Sequence, residues 1–114
     1  VDIVYKILDG AEWRAARRTG AAPLSEADRA DGYVHLCTEE QVLETASRHF
    51  RGRRALVAVA FDAACLGPRL RWEISRGGAA FPHLYAPLPA DRALFVRSLI
   101  ETPDGAFAFA DGCA

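Results

Sequence analysis

The sequence predicts an α+β fold: a strand-rich single domain over residues 1–114 with two helices in its N-terminal half. Three observations carry this reading. Short runs rich in β-branched and aromatic residues recur along the chain, parted by Gly, Pro and Asp. One of them, residues 55–61, is apolar throughout, as suits a central strand covered on both faces. Both stretches with a helix-start signature open on residues three apart that can cap each other, and both fall in the first half of the chain. With 114 residues the chain can bury one modest core and not two.

Residues 3–8 read as the opening strand. Asp9, three residues before Glu12, starts a short helix that turns Trp13 and Ala16 toward the core and ends at Gly20. Residues 23–30 read as a polar connection leading to a turn at Asp31-Gly32. The apolar run through Tyr33-Val34-His35-Leu36-Cys37 reads as a strand. Thr38-Glu39-Glu40-Gln41 then opens a second helix, with two acids near the positive end of its dipole. Val42, Ala46 and Phe50 recur every four residues and give that helix one apolar stripe, ending near Gly52. After the central strand, residues 62–68 form a turn or short helical hop. The runs 70–75 and 81–85 pair through Gly77-Gly78, and 94–100 with 107–109 through Asp104-Gly105.

The net charge of -1 argues against a nucleic-acid binder, which carries a basic excess. All but one of the fourteen basic residues are arginines, Lys6 being the exception. A GC-rich coding sequence accounts for that bias, while bidentate contacts to phosphate or carboxylate are the functional alternative. No apolar run nears the roughly 18 residues of a membrane span, and none at the N-terminus reads as a signal peptide. Cys37, Cys65 and Cys113 show neither pairing nor metal-ligand spacing. The expectation is a soluble protein in a reducing, cytoplasmic setting, with neither a nucleic-acid nor a membrane partner.

Three predicted strands each offer chemically capable groups on one face. Tyr33, His35 and Cys37 stand opposite Val34 and Leu36. Arg71, Glu73 and Ser75 stand opposite Trp72 and Ile74, and His83 and Tyr85 opposite Leu84. If these strands adjoin, that face is a pocket wall. Each residue also has a plainer reading. His35 alone suits a buried structural histidine as well as a functional one. Glu73 is either a solvated or salt-bridged acid, or a partly buried carboxylate with a raised pKa. Trp72 reads as core, and Tyr85 as a rim tyrosine or a stacking platform. Cys37 and Thr38 lie where a strand meets a helix N-terminus, whose free N–H groups suit a phosphate, although capping alone accounts for Thr38. His35, His83 and Glu73 have the composition of a catalytic zinc site without the spacing of a known motif. No Rossmann, P-loop, HExxH or GxSxG pattern is present.

Four blocks together carry a resemblance: Tyr5-Lys6-Ile7 with Trp13; Asp31-Gly32-Tyr33-Val34-His35-Leu36-Cys37-Thr38 with Gln41; Leu70-Arg71-Trp72-Glu73; and Phe81-Pro82-His83-Leu84-Tyr85. From Tyr5 to Leu88 the chain resembles a family of small bacterial proteins of unknown function grouped with the ADP-ribosyltransferase-like superfamily. The resemblance implies a split-sheet α+β fold and a site for NAD or another ADP-ribose compound, a small-molecule nucleotide ligand. It implies that His35 contacts ribose, that Glu73 is the strand-borne carboxylate, and that Tyr85 or His83 meets the nicotinamide ring. Two departures stand out. Tyr85 follows Glu73 where the superfamily order places the aromatic first, and Cys37 replaces a usual serine.

The resemblance thus implies cleavage of the nicotinamide–ribose bond, with Glu73 and His35 catalytic. Tyr33, Cys37, Thr38, Arg71, His83 and Tyr85 would bind ligand. NAD enters as a substrate, and no other cofactor is named. Two alternatives accompany it: a nucleotide-binding module without chemistry, and a metal-dependent hydrolase using His35, His83 and Glu73.

Overall fold

The computed structural model describes residues 2–110. Two antiparallel sheets organise them. In the larger, β3 (Val57–Asp62) pairs with β1 (Ile3–Leu8) on one side and β6 (Phe95–Glu101) on the other, and β7 (Phe107–Phe109) continues beyond β6. In the smaller, β5 (Ala80–Leu84) lies between β2 (Val34–His35) and β4 (Leu70–Ile74).

The apolar run expected at the centre is central, and residues 58–61 of β3 are all buried. Alternation along β1 then sorts the core into two layers. Tyr5 and Ile7 join Cys37, Ala58, Ala60 and Phe81 in one layer, whereas Val4 and Leu8 join Val34, Val59, Phe61 and Leu84 in the other. Helix α1 (Gly10–Thr19) packs Trp13 on the second layer. Its start is the predicted reciprocal cap: Glu12 N–H donates to Asp9 Oδ1 at 2.8 Å, and Asp9 N–H donates to Glu12 Oε1 at 2.9 Å. Gly20 ends it.

Three expectations are corrected. Residues 23–30 are not merely a connection, because helix α2 (Glu26–Asp31) forms within them and past them. Ser25 caps it by accepting from Asp28 N–H, and Asp28 Oδ2 accepts from Ser25 N–H, both at 3.0 Å. Gly32 stops it at φ 84°, a left-handed conformation that glycine adopts without a Cβ clash. With α3 (Glu39–His49), three helices rather than two therefore precede β3, and α4 (Ala63–Leu66) follows it. Second, the histidine strand is short. Only Val34 and His35 pair with β5 as a strand. Leu36 N–H still donates to Pro82 O at 3.1 Å, and Cys37 then exchanges both backbone bonds with Tyr5 at 2.7 and 2.9 Å. This segment thereby ties the smaller sheet to the larger.

Third, Trp72 is not core. It is 47% exposed and Ile74 73% exposed, because β4 is an edge strand whose outward face meets solvent. Cys113 lies outside the described residues. Of the other two cysteines, Cys37 is buried and Cys65 exposed.

Candidate functional site

The register of the smaller sheet brings the predicted polar faces together. His35 lies opposite His83, and His83 opposite Arg71. Side chains directly opposite on antiparallel strands share a face at about 5 Å, so all three project together. Their neighbours Val34, Leu84 and Leu70 turn the other way, into or against the second core layer.

Tyr33 sits among the rings on this face. It stacks on His83 with centroids 4.0 Å apart and planes 22° from parallel. His35 lies 4.6 Å and Tyr85 5.2 Å from it, both tilted. The stack separates two hydrogen-bonded assemblies, each built on a carboxylate that grips a histidine.

The first assembly is buried. Asp28 has no exposed side-chain surface, and Lys6 has 7%. Asp28 Oδ1 accepts from His35 Nδ1–H at 2.6 Å and from His35 backbone N–H at 3.0 Å. Its Oδ2 accepts from Lys6 Nζ and from Ser25 N–H, both at 3.0 Å. Lys6 also reaches His35 O at 3.3 Å. Four donors, two of them cationic, satisfy one buried carboxylate, as burial of a charge demands. Burial pushes the Asp28 carboxyl up, but the His35 hydrogen bond and the Lys6 charge outweigh it and hold it well below the usual carboxylate range. The Asp28 hydrogen bond raises the His35 pKa against partial burial, with help from Asp31. Asp31 Oδ2 accepts from the other ring nitrogen, Nε2–H, at 2.9 Å. His35 therefore has a carboxylate at each nitrogen, one buried and one 48% exposed, an arrangement that favours the imidazolium form.

The second assembly is open. Glu73 Oε1 accepts from Tyr85 Oη–H and from His83 Nδ1–H, each at 2.7 Å. The Tyr85 bond, then the His83 bond, lower the Glu73 pKa, so this acid is ionised rather than held protonated. That reverses the raised-pKa alternative. Tyr85 is raised by the same bond, and the Arg71 guanidinium lies 5.4 Å from the centre of its ring. Burial, then the charges of Asp31 and Glu73, raise Tyr33.

A cleft of about 700 Å³ opens against this face, with Lys6, Asp31, His35, Cys37, Phe81 and His83 among its walls. Ser75 also borders it, and helix α3 contributes Thr45 and His49 at another side.

Tyr33, His35, Arg71, Glu73, His83 and Tyr85 thus come together: alternation gave the faces, and the strand order β2-β5-β4 makes them adjoin. Cys37 keeps the predicted face and borders the cleft, but it is buried with Phe81 in the first core layer. Its Sγ lies 3.7 Å from Tyr5 O, so it does not reach the ring cluster. Thr38 is absorbed by capping, its N–H donating to Gln41 Oε1 at 3.0 Å. His35, His83 and Glu73 do not form a metal-ligating set. Both His35 nitrogens are taken by carboxylates and His83 Nδ1 by Glu73. Among the described residues no group of three His, Cys, Asp or Glu side chains is arranged to hold an ion.

Sequence reasoning missed Lys6 and Asp28. Two signals pointed to them: a lone lysine within the apolar opening strand, and the Ser25–Asp28 spacing of a reciprocal cap.

Residues 7–96 match the family described as "Protein of unknown function (DUF952)". The crystal structure of protein CC0527 from Caulobacter crescentus is 46% identical and covers 93% of each chain, with a TM-score of 0.87. The solution NMR structure of the same protein, over 91% of this chain and 90% of that one, gives 47% identity and a TM-score of 0.78. No curated protein matches the chain.

Proposed function

The chain belongs to the DUF952 family of unknown function, and from that premise we propose that it is an enzyme acting on NAD or a related ADP-ribose compound, cleaving the nicotinamide–ribose bond. One observation carries the proposal: an imidazolium and an ionised carboxylate, His35 and Glu73, stand on strands of one sheet at either side of an aromatic stack. The resemblance to the ADP-ribosyltransferase-like superfamily enters here as support for the substrate class.

In this reaction the bond between ribose C1′ and the nicotinamide nitrogen breaks, and its electron pair leaves with the nicotinamide, which becomes neutral. Positive charge gathers on the ribose ring, as in glycoside hydrolysis. An acceptor, water in the simplest case, then donates an electron pair to C1′ and loses a proton. A carboxylate stabilises that charge only if ionised and fixed before the reaction. Glu73 meets both conditions, because Tyr85 and His83 hold Oε1. His35 would anchor the ribose–phosphate part, and Tyr33 would offer its ring to the nicotinamide. The role expected for Tyr85 changes: its hydroxyl positions Glu73. Arg71, beside it, supplies positive charge for the pyrophosphate.

The test is calorimetric titration of NAD with free nicotinamide followed by proton NMR. Wild-type protein should bind and release nicotinamide. Glu73→Gln should bind comparably and release at least about 100-fold more slowly, the loss typical of a preorganised electrostatic group. Equal release by the variant rejects the role of Glu73. Binding without release by wild type marks a ligand-binding module, and no binding at millimolar NAD rejects the substrate class.

A further inference from the structure

His35 has two carboxylate partners of opposite character. Asp28 is buried, neutralised by Lys6 and locked by four donors. Asp31 is half exposed, and among the described contacts its carboxylate bonds the His35 ring. It sits in the last turn of α2, before Gly32. Asp31 and His35 both border the cleft; Nε2 is the ring nitrogen bonded to the half-exposed Asp31, while Nδ1 bonds the buried Asp28.

We infer that Asp31 is a gate displaced by ligand: its carboxylate occupies, on His35 Nε2, the position taken by a phosphate oxygen of the bound nucleotide. Three features support this. An oxyanion replaces a carboxylate on an imidazolium without loss of a charge-assisted hydrogen bond, which a neutral hydroxyl cannot do. The exchange leaves the ring where it is, because Asp28 holds Nδ1 and Lys6 holds both Asp28 and His35 O. And the departing carboxylate meets solvent, so releasing it strands no buried charge. Lys6 and Asp28 are then positioning residues, acting on ligand only through His35. Tyr33 and His83 flank the ring, with Glu73 beyond them, and Glu12, Glu26, His49 and Arg53 also line the cleft; the Nε2 bond is to Asp31.

The choice of nucleotide phosphate rests on the proposed function, whereas the gate itself is testable without it. The variant is Asp31→Asn, which keeps the shape and removes the charge. ADP-ribose is titrated by calorimetry, and inorganic pyrophosphate is titrated while the His35 ring signals are followed by NMR. The gate predicts that Asp31→Asn binds ADP-ribose roughly 1.5- to fivefold more tightly than wild type, the range of an exposed charge pair no longer competing. It also predicts that pyrophosphate shifts the His35 Nε2 resonance at lower concentration in the variant. Weaker binding by Asp31→Asn would make Asp31 a ligand contact and overturn the gate. Equal affinity and equal pyrophosphate response would make it a structural residue only, which overturns the gate as well. If ADP-ribose binds neither protein while pyrophosphate still shifts His35 more readily in the variant, the gate stands and the nucleotide reading falls. No pyrophosphate shift in either protein rejects the oxyanion position outright.

Discussion

Asp28 and Glu73 each hold a histidine through its Nδ1 at nearly the same distance, 2.6 and 2.7 Å, yet they stand in opposite surroundings. Asp28 is sealed beneath α2 with a lysine beside it, whereas the Glu73 side chain is 37% exposed on an edge strand. Ionisation of Asp28 is sustained by donors that water cannot replace. That of Glu73 is sustained by two donors and by water. The first carboxylate is therefore bound up with the stability of the fold, and the second, open to solvent beside the aromatic stack, is not. Geometry alone does not separate these roles; burial does.

The sharpest way to break this contrast is to remove Asp28. Asp28→Ala leaves the Lys6 ammonium buried without its counter-charge and takes a partner from His35. Breaking a buried pair by removing one member costs about 3–5 kcal/mol, a large share of the stability of a domain this size. Urea denaturation should show that loss. Adding Lys6→Met to the same variant should recover part of it, since no unpaired charge then remains inside. A wild-type midpoint for Asp28→Ala would mean that the buried network is incidental.

That network also marks the limit of what the sequence discloses. Period-two alternation identified Tyr33, His35, Glu73, His83 and Tyr85 as sharing faces within their strands, because side-chain direction is a local property. Bringing those faces together required a strand order, β2-β5-β4, set by packing between distant segments. Larger elements such as β1, α1, the central β3 and both hairpins followed from apolar pattern and caps. Helix α2 did not, since only Asp28 within it is buried and an apolar stripe is missing. Its stability comes from a reciprocal cap and from Lys6 and His35, 22 and 7 residues away. Trp72 misled for the complementary reason: residue type suggested burial, but an edge strand left its face to water.

A smaller effect sharpens the comparison through pH. His35 has a folded pKa above its ordinary 6.5. Its proton-linked contribution is therefore complete below 6.5 and lost as pH rises through the folded value. Asp28 has the opposite sign: its contribution is present above the ordinary 3.8 and lost as pH falls toward the depressed folded value. Stability should be greatest between about 4 and 6.5 with respect to these two groups, declining on either side. The alkaline decline should be on the order of 1 kcal/mol or less, because the His35 side chain is 35% exposed and solvent screens it. Urea midpoints across the pH range test this, with Asp28→Asn as the control in which the alkaline decline shrinks. An alkaline slope unchanged in Asp28→Asn would assign it to another group.

The smallest expected change is the stability of Glu73→Gln, and it completes the contrast. Glutamine keeps the length and can still accept from Tyr85 or His83, and the site is open enough for water to take up the lost bond. Its denaturation midpoint should lie beside that of wild type, well clear of the Asp28→Ala value, even if nicotinamide release has been abolished. A residue that is dispensable for folding yet held by two donors on a shared aromatic face is held for some other purpose. If Glu73→Gln instead unfolds as readily as Asp28→Ala, the two carboxylates do the same structural work, and the case for Glu73 as the acting group loses its footing.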